Sequence, residues 1–182
     1  MNQMNCDISA VLFDEYQIQT RIRELGLEIS NSYKNSTPVM IGILKGGFIF
    51  LADLVRSITI PVEVDFLAIS SYGTKTSSSG VVKIRKDIDI DITGRDVIVV
   101  EDIVDTGLSL AYIKDYIWQH KPSSLKTCVL LDKPDAHKTD VTFDYIGYSI
   151  KNEFVVGYGL DFAEKYRNLP FIGILKEELY KC

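Results

Sequence analysis

Positive charge is in short supply along this chain. Twenty Lys and Arg stand against 25 Asp and Glu, leaving a formal net charge of -5 over 182 residues and a pI near 5.1. A nucleic-acid groove needs a strong basic field, so that class of partner is disfavoured. A small polyanion is not, because a few local donors can outweigh a mean charge. Thiols are scarce too: Cys6, Cys128 and Cys182 are odd in number, scattered and without zinc spacing, and each is expected to be structural or incidental. A reducing, cytoplasmic compartment is the matching expectation. No apolar run approaches the ~20 residues needed to cross a bilayer. The opening residues, Met1 to Asp7, have neither the basic start nor the apolar core of a leader, so no membrane partner is expected. Neither Gly-x-x-x-x-Gly-Lys-Ser/Thr nor Gly-x-Gly-x-x-Gly occurs, which argues against the common nucleotide-binding loops.

The remaining composition, 46% hydrophobic and 25% charged, is that of a globular enzyme, long enough to bury a core. One stretch organises the chain. The apolar residues Val97 to Val100 run straight into Glu101, Asp102 and Asp105, followed by Thr106, Gly107 and Ser109 and then by an amphipathic run to Ile117. A continuous apolar run reads as a strand buried on both faces, as in a parallel sheet. Gly107 permits a tight turn, and small hydroxyl residues stand where the next helix starts. Free N–H groups and the positive dipole end converge at such a helix start and bind phosphate. Carboxylates there repel phosphate unless they hold a ribose hydroxyl, a metal ion or a transferable proton.

Along the rest of the chain, residues 11–35 carry Ile18, Ile22, Leu25, Ile29 and Tyr33 on one helical face, with Asp14 as a cap. Strands are predicted at 39–44, 62–69, 81–85, 124–131, 145–150, 154–158 and 169–175, and a helix at 48–55. Residues 70–80 have almost no apolar content, so a mobile loop is expected, either a solvated hairpin tip or a lid. The strand–helix alternation predicts a parallel sheet with ligands at the carboxyl ends of its strands. Lys45-Gly46-Gly47, the acidic turn from Glu101 to Ser109, and Lys133-Pro134 all stand at such ends. Topology alone would bring them to one rim. Taken alone, the residues leave other readings open. Glu101 and Asp102 could serve as caps or salt-bridge partners, and Asp105 could simply form the turn. Phe154 and Val155 could be core strand residues, and Arg167 a surface arginine.

Two acids, a spaced third acid and then Thr-Gly-x-Ser resemble the phosphoribosyl-pyrophosphate (PRPP) motif of the type I phosphoribosyltransferases. Over about 10–178 the chain is similar to the hypoxanthine-guanine branch of that family. The resemblance implies an α/β type I phosphoribosyltransferase fold in one domain, 1–182. Its sheet would be mostly parallel and flanked by helices, with a hood from the N-terminal segment and about 133–182, and a mobile hairpin lid at about 70–82. It implies a purine-salvage transferase that moves 5-phosphoribosyl from PRPP to N9 of hypoxanthine or guanine, with Mg2+ as cofactor and a homodimeric or homotetrameric assembly. Glu101 and Asp102 would hold the ribose hydroxyls, directly or through magnesium. Val104, Asp105, Thr106, Gly107, Leu108 and Ser109 would wrap the 5′-phosphate, with Asp105 as catalytic base at N7. Lys45 and Gly46, preceded in the family by a non-proline cis peptide, would meet pyrophosphate together with Arg167. Asp161, at the purine side of the site, would hold a second magnesium. Lys133 would donate to the purine 6-oxo group, Phe154 would stack on the base and Val155 would meet its edge. Ser71 and Tyr72 would open the lid. His120 and His137 match no family function and are expected at the surface.

Overall fold

In a computed structural model the described residues are 3–72 and 81–180. A short helix α1 (Gln3–Cys6) leads into β1 (Ile8–Phe13) and then α2 (Glu15–Ser32). The sequence periodicity places the helix from residue 11, but Val11–Phe13 belong to β1, which pairs antiparallel with β9 (Ile172–Leu175). A partner some 160 residues away leaves no local trace. What does terminate the strand is local: Asp14 accepts from the Gln17 N–H at 2.8 Å while the Gln17 side chain accepts from the Asp14 N–H at 3.0 Å, a complete capping box.

Next come β2 (Val39–Leu44), α3 (Phe48–Ser57), β3 (Glu63–Tyr72), β4 (Val81–Lys86), β5 (Asp96–Val104), α4 (Leu108–Gln119), β6 (Ser124–Asp132), β7 (Tyr145–Ser149) and β8 (Val155–Val156). The main sheet has six strands in the order β4-β3-β2-β5-β6-β7, parallel except for β4. Alternation along its central strands divides the core. Met40, Ile98, Val100 and Leu130 face α2 and α3, where Ile18, Ile22, Leu25, Ile29, Phe50 and Leu54 are buried. Val39, Ile41, Val97, Val99 and Val129 face α4 through Leu110, Ile113 and Ile117. These strands are apolar on both sides, the reason for their unbroken runs in sequence.

The second sheet, β1-β9-β8, joins the N-terminal segment to the C-terminal part of the chain, as the expected hood does. Val156, Tyr166, Leu169 and Leu175 form its own small core. From β2 the chain crosses to β3 on one side, whereas from β5 it proceeds to β6 and β7 on the other. The order therefore reverses between β2 and β5, and in open α/β sheets that reversal opens a crevice at the carboxyl ends of the strands.

Candidate active site

Both strands flanking that crevice end in turns that bring backbone close to side chains. At the end of β2 the Leu44–Lys45 peptide is cis. Gly46 follows, and a Cβ on it would fall within the van der Waals radius of Asp102 Oδ2, so only glycine lets this loop lie against the acid. At the end of β5, Gly107 has φ of 79°, the left-handed region, and forms the N-cap of α4. The chain thereby turns so that the first N–H groups of α4, which have no partner inside the helix, open onto the cleft. The turn is braced from outside, since the Thr106 carbonyl accepts from the Lys138 N–H at 3.0 Å.

A cleft of about 450 Å3 joins these turns. Its walls include Lys45, Gly46, Glu101, Asp102, Val104, Asp105, Thr106, Gly107, Ser109, Lys133, Phe154, Val155, Asp161 and Arg167. Leu108 lies half-exposed on the first turn of α4 and is not among the residues that line the cleft. The two neighbouring acids differ from the third. Burial pushes the Glu101 carboxyl well up, helped by the Asp102 charge and a hydrogen bond to it. Burial likewise raises Asp102 to about 6, against the pull of its own and the Ile103 N–H groups. Glu101 Oε2 is buried with no hydrogen-bond partner. Such a pair is under-compensated, and a divalent cation or hydroxyl donors would relieve it. Asp105 is open to the cleft, with 56% of its side chain exposed.

Lys133 is only 8% exposed at its side chain, and its Nζ stands 3.8 Å from Asp105 Oδ2. Its N–H donates to the Val104 carbonyl at 3.0 Å, tying the ends of β5 and β6 together. Across the cleft, Val155 is paired in the hood with Ile174. Phe154 is half-buried between Phe162, edge-on at 5.6 Å, and Tyr180, stacked at 4.7 Å. Arg167 donates to the Gly159 carbonyl at 2.7 Å and to Asp161 Oδ1 at 2.8 Å.

The fold thus brings Lys45, the β5–α4 turn, Lys133, Phe154, Val155, Asp161 and Arg167 to one cavity. Ser71 and Tyr72 end β3, whose pairing with β4 makes the base of the expected lid. The body of that lid lies outside the described residues. Among the described residues no group of three or more His, Cys, Asp or Glu side chains could hold one ion. Asp161 therefore does not complete a three-carboxylate site with Glu101 and Asp102, and any cation at either place would need oxygens from substrate or water.

The two histidines expected at the surface are partly exposed, and each has a partner. His137 Nε2 lies 2.6 Å from Oδ1 of the buried Asp132, next to Lys133, with its side chain 20% exposed. His120 is half-buried, with Nδ1 3.1 Å from the Tyr116 carbonyl and its ring edge-on to Tyr116. Sequence reasoning also missed Glu164, which reaches both Lys45 and Arg167, and Tyr180 behind Phe154. Neither belongs to a local pattern that could have announced it.

The family model for the phosphoribosyl transferase domain matches residues 12–163. A hypoxanthine-guanine phosphoribosyltransferase from Bacillus subtilis is 47% identical over 178 residues, covering 98% of this chain and 99% of that one. One from Streptococcus thermophilus is 48% identical over 174 residues, covering 96% and 97% respectively. A solved hypoxanthine phosphoribosyltransferase from Staphylococcus aureus superposes over 100% of both chains with a TM-score of 0.96 at 43% identity.

Proposed function

The chain belongs to the phosphoribosyl transferase family, and we propose that it acts within it as a hypoxanthine-guanine phosphoribosyltransferase. It is a purine-salvage enzyme that transfers 5-phosphoribosyl from PRPP to N9 of hypoxanthine or guanine. The products are inosinate or guanylate and pyrophosphate. The observation that carries the reading is the meeting of Asp105 and Lys133, 3.8 Å apart, beside the β5–α4 turn. A cationic donor next to a carboxylate acceptor is what a 6-oxopurine asks for, since its O6 accepts while its imidazole N–H donates. Adenine presents a donor at position 6 and would meet Lys133 donor to donor.

Each residue then has a part. The N–H groups from Val104 to Ser109, with the Thr106 and Ser109 hydroxyls, hold the 5′-phosphate at the start of α4. Glu101 and Asp102 take the ribose hydroxyls, and with Asp161 they are the hard oxygen donors that would hold Mg2+. That ion, when bound, neutralises charge on the ribose-diphosphate. Phe154 stacks on the base and Val155 meets its edge. Lys45, the Gly46 amide and Arg167 take the pyrophosphoryl group, where negative charge gathers as the C1′–O bond breaks and the C1′–N9 bond forms. Asp105 accepts the proton that the purine imidazole gives up. Ser71 and Tyr72 would open a lid that excludes water from the reacting carbon.

The same reading proposes one domain over 1–182, a cytoplasmic location and assembly as a homodimer or homotetramer, to be measured by light scattering. No helix among the described residues is long and apolar enough to cross a membrane. A purine panel with PRPP and magnesium tests the function. Nucleotide should form from hypoxanthine or guanine and not from adenine. Binding of PRPP without product from any base would overturn the catalytic reading in favour of a regulatory PRPP-binding protein.

A further inference from the structure

The loop between Asp161 and Arg167 places an acid where the proposed site wants none. Both Glu164 oxygens accept from Lys45 Nζ, at 3.1 and 3.0 Å, and Oε2 also lies 3.4 Å from Arg167 Nη2. Lys45 follows β2 in the main sheet, whereas Glu164 and Arg167 belong to the segment between β8 and β9, so one carboxylate ties two parts of the fold together. The loop is shaped to deliver it. Ala163 and Glu164 are both left-handed, with φ of 51° and 62°, although neither is glycine. Conformations of that kind persist only where the surroundings impose them. Here Phe162 and Lys165 exchange backbone hydrogen bonds at 3.2 and 3.0 Å, and the Glu164 N–H donates to Asp161 Oδ2 at 2.9 Å.

We propose that Glu164 is a resident competitor in the pyrophosphate subsite, holding Lys45 and Arg167 until the diphosphate of the substrate displaces it and returning as pyrophosphate leaves. The inference rests on the assignment of those two cations to pyrophosphate. Arg167 has two kinds of partner. Its contacts to the Gly159 carbonyl and Asp161 belong to the fold, with the arginine side chain only 21% exposed. The Glu164 carboxylate, by contrast, is 65% exposed and Lys45 is 67% exposed. An ion pair in that much water is weak, and breaking it strands no buried charge. A diphosphate offers more charge and more acceptor oxygens to the same two donors, so it wins when present.

The test is calorimetric titration of magnesium pyrophosphate into the wild-type enzyme, Glu164→Gln and Glu164→Asp. Glu164→Gln should bind pyrophosphate roughly two- to fivefold more tightly, the range open to an exposed ion pair. Its KM for PRPP should fall by a similar factor with no rise in kcat. Glu164→Asp keeps the charge but withdraws it by one methylene from Lys45, and should follow Glu164→Gln. Unchanged or weaker pyrophosphate binding in Glu164→Gln would overturn the proposal and make Glu164 a brace for the two cations. Tighter binding in Glu164→Gln with wild-type binding in Glu164→Asp would overturn it too, leaving only a general effect of charge. If the wild-type enzyme itself binds no pyrophosphate, the subsite assignment falls instead.

Discussion

Replacing Asp102 by Asn should stabilise the free protein while impairing the enzyme. The buried carboxyl is raised from 3.8 to about 6, so the folded state disfavours its charged form. For a group raised in the folded protein, stability is lost as pH climbs from the unfolded value to the folded one, here between 3.8 and about 6. At 1.36 kcal/mol per pH unit, that shift corresponds to roughly 3 kcal/mol above pH 6. Glu101 shares the burial and the charge, and Asn is a weaker acceptor for the Asp102 and Ile103 N–H groups, so about 1–2 kcal/mol should be recovered. For a chain of this size that corresponds to a rise in Tm of about 2–8 °C at pH 7.5. Because the wild-type group is largely protonated in the fold at pH 4.5, the gain there should shrink to roughly a third. Thermal melts of both proteins without ligand, at the two pH values, decide the matter. A variant no more stable at pH 7.5, or equally stabilised at both, would refute the claim that these acids are held at a cost to the fold. PRPP binding should weaken in the same variant, showing what the cost serves.

Asp105→Asn should lower kcat by about 10²- to 10⁴-fold while PRPP affinity is kept, read by steady-state kinetics beside equilibrium binding; unchanged turnover would remove Asp105 as the base. Lys133→Ala should lower kcat/KM for hypoxanthine by roughly ten- to a hundredfold, the worth of a charge-assisted hydrogen bond, and narrow the preference over adenine. An unaltered preference in the purine panel would remove its O6 role. Since Lys133 Nζ lies 3.8 Å from Asp105, the two effects should not add in the double variant. Gly46→Ala puts a Cβ into Asp102 Oδ2, and should cost about 1–3 kcal/mol in a chemical-denaturation series as well as most of the activity; a stable, active variant would mean that the loop has room to move.

The chain itself determined which residues form strands and where phosphate chemistry gathers. Val97 to Val100 must be buried on both faces, and Gly107 followed by hydroxyls must turn into a helix start. The start of the helix at Glu15 was legible from its cap, Asp14 with Gln17 within one turn, and not from the periodicity, which ran on from residue 11. β1 was not, because what makes Ile8–Phe13 a strand is β9 at the far end of the chain. The same division runs through the site. Glu101, Asp102 and Asp105 announce themselves as a cluster in sequence, but nothing local says that the first two are buried and pushed up while the third stays open. The difference comes from burial at the end of β5, where the Gly46 loop lies against Asp102. His137 looks like any surface histidine until the fold seats it on buried Asp132. Glu164 looks like any surface acid until its loop carries it to Lys45. Local chemistry is written in spacing, because cap, turn and strand need only near neighbours. Contacts between distant segments depend on a crossover, a sheet order and a loop conformation, and only the tertiary structure supplies those.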